Sequence, residues 1–151
     1  MTTEAPTLAI APIGDDDLAE VIALWQACHL TRPWNDPAAD IALARRGENS
    51  TVLVGREGAA IVATAMVGHD GHRGWVYYVA IDPKRQAQGH GRAIMDAAEA
   101  WLRRAGVPKV QLLVRRENTR ADAFYQSLGY DESTSVMFSK WLDGREQTPQ
   151  S

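Results

Sequence analysis

Residues 75–102, "WVYYVAIDPKRQAQGHGRAIMDAAEAWL", run from a strand through a polar loop with two glycines into a helix. The first seven are aromatic and β-branched, the composition of a strand. Asp82-Pro83 ends that strand, because proline brings no N–H to a ladder. Beyond the loop, apolar residues recur at Ile94, Met95, Ala98, Trp101, Leu102 and Ala105, the period of an amphipathic helix. Gly106 and Pro108 stop it. "KVQLLVR" (109–115) reads as a second strand, and a right-handed crossover through the helix makes it parallel to the first. The loop therefore enters a helix N-terminus, where free N–H groups and the helix dipole attract anions. Gly89 and Gly91 carry no Cβ and let a ligand approach the backbone. Lys84, Arg85, Gln86 and Arg92 add positive charge or N–H donors nearby.

Outward from this unit, "STVLVGRE" (50–57) and "AAIVATAMVG" (59–68) read as strands. Glu57-Gly58 and Asp70-Gly71 supply the turns, so residues 50–81 form an antiparallel meander. "LAIAPI" (8–13) is a first strand, and "GDDD" (14–17) offers carboxylates to a helix start. That helix buries Leu18, Val21, Ile22, Leu24, Trp25 and Cys28. "TRPWNDP" (31–37) breaks it, and Asp36-Pro37 caps and opens a second helix running to about Arg46. A short helix follows Asn118 and ends at Gly129, and "STSVMFSKWL" (133–142) holds a final strand. The order is β-α-α-β-β-β-α-β-α-β, an α/β (α+β) chain with a mixed, mostly antiparallel sheet and helices on both faces. It is not a doubly wound dinucleotide fold, which alternates strand and helix from the start.

A chain of 151 residues, 45% hydrophobic and 23% charged, fits one domain, with an ordered core over about 8–142 and frayed ends at 1–6 and 143–151. A net charge of -3 argues against a nucleic-acid binder. The single cysteine, Cys28, excludes an internal disulfide and points to the cytoplasm. No signal peptide is visible, and the longest apolar run, 59–68, is far short of the roughly 20 residues that span a membrane. His69 and His72 in a hairpin read as surface residues, not a metal site.

Two familiar phosphate motifs fail. No lysine follows either glycine, as Walker A requires, and the third position of G-x-G-x-x-G is Ile94. A third motif matches. "QAQGHG" (86–91) resembles the [QR]-x-x-G-x-[GA] motif of the GNAT superfamily of acyl-CoA-dependent N-acyltransferases. "NTRADAFYQSLGY" (118–130) resembles that family's N-x(6)-Y-x-x-x-G-[FY] signature. The resemblance covers about residues 8–142, and "RPWNDP", "DGHRG" and the Tyr-Tyr pair further resemble the small bacterial YpeA-type branch.

The resemblance implies a V-shaped gap between the third meander strand and the next parallel strand, holding acetyl-CoA. It assigns backbone groups of Val79, Ala80 and Ile81 to the pantetheine arm. The N–H groups of Gln86, Ala87, Gln88, Gly89, His90, Gly91 and Arg92 fall to the pyrophosphate, and Asn118 contacts CoA. Tyr125 protonates the departing thiolate, and no metal is required. Tyr125 also shares a helical face with Ala121, Phe124 and Leu128, as a core tyrosine would.

The chain departs from relatives that carry a glutamate base. "GWVYYVAI" and "QLLV" hold no acid, with Trp75 and Leu113 at the usual places. Glu117, Asp70, His72, Tyr77 and Tyr78 are the candidates, with a water relay or an amine that arrives neutral as alternatives. On the acceptor side, Trp34 walls a pocket or packs, Arg32 holds a carboxylate, and Asp36 orients an amine or caps its helix. The expected acceptor is a primary amine of a small molecule or a peptide, and the protein is a monomer or homodimer. A non-catalytic acyl-CoA sensor, or a phosphate binder outside the family, stands as the alternative.

Overall fold

The computed structural model describes residues 8–146. The chain divides after Leu113 into two compact units. The first contains β1 (Ala9–Pro12), α1 (Leu18–Ala27), α2 (Pro37–Arg45), β2 (Ser50–Glu57), β3 (Ala60–His69), β4 (Gly74–Ile81), α3 (His90–Arg104) and β5 (Val110–Gln111); the second contains α4 (Thr119–Ser127). The sheet runs β1-β2-β3-β4-β5 in space. β1 to β4 pair antiparallel, and β5 joins β4 in parallel.

Local chemistry sets the element ends. Asp36 Oδ1 accepts the Ala39 N–H at 3.2 Å, and Pro37 opens α2. Asp70 Oδ1 accepts the N–H groups of His72 and Arg73 at 2.9 and 2.8 Å, while Gly71 turns the β3–β4 hairpin at φ +87°. Asp17 Oδ2 accepts the Gly14 N–H at 2.8 Å ahead of α1, and its other oxygen pairs with Arg56 on β2.

Strand alternation then sorts the core into two faces. Val52 and Val54 face α1 and α2, packing with Val21, Leu24, Trp25, Ile41 and Ala44. Leu53, Ala65, Val67 and Val76 point to the other face, where α3 buries Ile94, Met95, Ala98 and Leu102. The α3 face comes closest at Gly74, where an added Cβ would lie 2.6 Å from Leu102 Cδ1.

Two sequence expectations are corrected. The strand expected over 109–115 is paired only at Gly74↔Val110 and Trp75↔Gln111. The cause lies in β4. Its register against β3 goes from Met66↔Tyr77 to Thr64↔Ala80, so two β4 residues oppose one on β3. This is a β-bulge, and Tyr78 within it adopts φ +50°. A bulged strand bends, and β4 leaves β5 after Trp75. The final strand expected over 133–142 is absent among the described residues. Val136, Phe138 and Leu142 are strongly exposed there. Alternating residues define the faces of a strand, but only a neighbour satisfies its N–H and C=O groups, and no described strand pairs with this segment. The expected frayed ends fall largely on residues 1–6 and 147–151, outside the described residues.

β2 and β3 leave no room for a side chain at Gly68, where a Cβ would meet Ser50 Cβ at 2.6 Å and Asn49 O at 3.0 Å. Backbone cannot swing aside as a side chain does. Gly68→Ala should therefore cost about 1–3 kcal/mol in urea unfolding, whereas Gly47→Ala, with nothing within 4 Å, should cost nothing.

Candidate active site

The bulge fixes Tyr78 from three directions. Its ring stacks on Trp25 of α1, with centroids 3.8 Å apart and planes 7° from parallel. Its carbonyl accepts the Thr64 hydroxyl at 2.9 Å, and Thr64 Oγ1 in turn accepts the Trp25 indole N–H at 2.9 Å. Its phenol donates to Asp40 Oδ2 on α2 at 2.7 Å. Burial first, then the Asp40 bond, raises the Tyr78 phenol well above its ordinary value. Tyr77, the residue before, stays half-exposed beside Trp75, at 6.3 Å between ring centroids.

Past Trp75 the outer edge of β4 has no strand neighbour among the described residues. Asp82 donates its N–H to Val62 O on the β3 side. Alternation back from it turns the main chain of Ala80 toward β3 and that of Val79 and Ile81 toward the open edge. Ile81 O accepts the Cys28 thiol at 3.2 Å, and burial pushes that thiol up, as for an unreactive packing cysteine.

The edge leads into the glycine loop. Pro83–Arg85 form a 3-10 turn, Ala87 and Gly89 take left-handed φ of +64° and +82°, and α3 begins at His90. Its first helical bond is Ala93 N–H to Gly89 O at 3.1 Å, so the N–H groups of His90, Gly91 and Arg92 precede the ladder. Nothing lies within 4 Å of a Cβ placed on Gly89. Gln86, Ala87, Gln88 and Arg92 are exposed. The side chain of His90 is not: it is 2% exposed, with Nε2 3.3 Å from Glu57 Oε2. Arg85 also reaches Glu57, at 3.4 Å, and Asp82, at 2.7 Å. The sequence counted Arg85 as free charge for a ligand, but two carboxylates already engage it.

The other candidates separate clearly. Hydrogen bonds from the Arg73 and His72 N–H groups hold Asp70 below the usual carboxylate range, and its Oδ2 faces the Trp75 indole at 3.4 Å. A carboxylate so engaged is a poor base. His72 is exposed in the same turn. Asp36 caps α2, and Arg32 donates to the carbonyls of His29 and Thr31 at 2.7 and 3.0 Å. Trp34 is partly buried in the same segment. In the second unit, Asn118 Oδ1 caps α4 by accepting the Ala121 N–H at 3.1 Å, and Glu117 is exposed. Tyr125 packs edge-on against Phe124 and Tyr130, and burial pushes its phenol up to about 12.

Sequence reasoning missed Asp40 and the Glu57–His90–Arg85 cluster. Asp40 carried no signal, since its partner lies 38 residues away. Glu57 read only as a turn residue.

The sequence profile of the acetyltransferase (GNAT) family matches residues 18–130. The chain belongs to that family. It is 37% identical over 127 residues to an acetyltransferase of Yersinia pestis (strain Pestoides F), covering 84% of this chain and 90% of that one. Its fold matches the ribosomal-protein-S18-alanine N-acetyltransferase from Escherichia coli with a TM-score of 0.73 at 28% identity, over 85% and 80% of the two chains. A structure of AAC(6')-Iy with the bisubstrate analog CoA-S-monomethyl-acetylneamine matches at 0.77, over 89% and 98%, with 15% identity, a likeness of fold alone. This acetyltransferase is thus an acyl-CoA-dependent N-acetyltransferase. Among the described residues no helix is long and apolar enough to cross a membrane.

The Thr64 hydroxyl serves two partners in a fully buried position. Thr64→Val keeps the shape and removes both bonds. It should destabilise the fold by about 1–3 kcal/mol, the cost of leaving a buried donor unpaired, as read by thermal unfolding.

Proposed function

We propose that this acetyltransferase takes acetyl-CoA as donor and transfers the acetyl group to a primary amine of a small molecule or peptide by direct attack. One observation carries the reading: the open edge of β4 leads, through the glycine loop, to the N–H-rich start of α3. An extended pantetheine arm pairs with the main chain at Val79 and Ile81, flanking Ala80, as an added strand does. The pyrophosphate takes the N–H groups from Gln86 to Arg92, where helix dipole and missing Cβ atoms favour it. The exposed surface at Gly89 fits such a group, and the acidic partners of Arg85 leave less of its charge for the phosphates.

In this reading Asn118 contacts CoA through the amide not used in its cap, and Tyr125 protonates the leaving thiolate. A phenol raised to about 12 stays protonated at neutral pH, as a proton donor must. On the acceptor side the reading takes Arg32, Trp34 and Asp36 from the segment between α1 and α2, with Asp70 of the hairpin as a further polar contact. None of these steps needs a metal.

Calorimetry with acetyl-CoA and a coupled assay over a panel of primary amines test the reading. Acetyl-CoA should bind and at least one amine should be acetylated. Tyr125→Phe should lower kcat by about 100-fold or more while the Kd for acetyl-CoA stays the same. Binding without transfer to any amine would favour a sensor instead.

A further inference from the structure

The β4 strand carries no acid where many relatives hold a base, and the acids nearby are committed elsewhere. Asp70 is locked in its turn, Asp36 caps α2, Glu20 accepts the Ile61 N–H at 2.8 Å, and Asp17 pairs with Arg56 and Gly14. Asp40 differs. Its Oδ2 accepts a hydrogen bond from the Tyr78 hydroxyl at 2.7 Å, and its Oδ1 is bonded by no described residue. Both side chains are only partly buried. Tyr78 lies in the bulge, one residue before Val79 at the open edge of β4.

We propose that Tyr78 and Asp40 form the proton relay of this acetyltransferase, Tyr78 taking the amine proton while its own passes to Asp40. The proposal rests on the donor and acceptor reading above. A phenol that donates its O–H to a carboxylate turns its lone pairs toward the remaining open side. There it accepts an N–H of the incoming amine and aims the nitrogen lone pair. The geometry is unusually well held for a strand residue: Trp25 fixes the ring, Thr64 fixes the carbonyl, and Asp40 fixes the hydroxyl. Non-glycine residues rarely adopt positive φ, and such strain persists where the surroundings enforce it.

The neutral amine nitrogen bonds to the thioester carbonyl carbon, and the C=O π pair moves to oxygen. The nitrogen, now cationic and far more acidic than a free ammonium, gives one proton to Tyr78 Oη. The Tyr78 proton moves to Asp40 Oδ2. The oxygen pair re-forms C=O, the C–S bond breaks, and the thiolate takes a proton from Tyr125, which solvent then restores. Asp40 then returns its proton to solvent. The raised Tyr78 phenol argues against a standing phenolate, which would need no partner, and for transfer through a neutral hydroxyl. Asp40 touches no substrate; it acts through Tyr78.

Kinetics of Asp40→Asn, Tyr78→Phe and the double variant test this, each with an amine that the wild type acetylates. Both single changes are nearly isosteric, and Tyr78→Phe keeps the Trp25 stack. Each should lower kcat by about 10-fold to 100-fold, with acetyl-CoA Kd and thermal midpoint near wild type. The double variant should be no slower than the worse single one, because the pair works as a unit. Asp40→Glu should recover part of the loss. Unchanged kcat in either single variant, or multiplying losses in the double one, would overturn the relay while leaving the transferase reading intact. A wild type that binds acetyl-CoA but acetylates no amine would overturn both.

Discussion

One hydroxyl, that of Thr64, ties together the parts on which the site depends. It joins the Trp25 indole of α1 to the Tyr78 carbonyl of β4 across a buried gap. A bulge leaves backbone groups without ladder partners, and each buried one must be satisfied or it costs free energy. Thr64 satisfies one of them with a side chain. The bend in β4 is thereby retained rather than ironed out, and β5 is left behind after Trp75. The open edge, the direction of Tyr78 and its reach to Asp40 all descend from that bend.

Beneath the glycine loop, charge is arranged inward. Glu57 lies between His90 and Arg85, and Arg85 also holds Asp82. The Arg85 ion pairs and the His90–Glu57 contact link the end of β2 to the start of α3 and to the residue that closes β4. Partly buried ion pairs add little net stability once desolvation is counted. Their effect here is geometric: they tie the loop's base to the sheet, while its exposed side presents main-chain N–H groups.

Much of the first unit was legible in the sequence. Period and punctuation gave the meander, α1 to α3, the Asp36 cap and the Asp70 turn, because each is set by residues close in the chain. The bulge was not legible: "WVYYVAI" reads as an unbroken strand, and only pairing against Thr64 reveals two residues facing one. Asp40 was invisible for the same reason, an ordinary acid in a helix until α2 lies over β4. Arg85 looked available because Glu57 is far from it in the chain, and Asp82 read only as the end of a strand. The strand expected at 133–142 had the right alternation, and no described strand borders it.

Val79 and Ile81 contribute main chain, not side chains, to the open edge. Any residue that keeps the strand extended presents the same N–H and C=O groups there. Mutation can therefore rewrite this stretch with little consequence for what the edge offers. A fold of this shape is shared with a protein of 15% identity, as expected of an architecture written in backbone. Tyr78 and Asp40 have no such latitude, since one altered atom breaks their bond. Within a single strand, neighbouring positions thus place opposite demands on the side chain, almost none at one and a specific atom at the next.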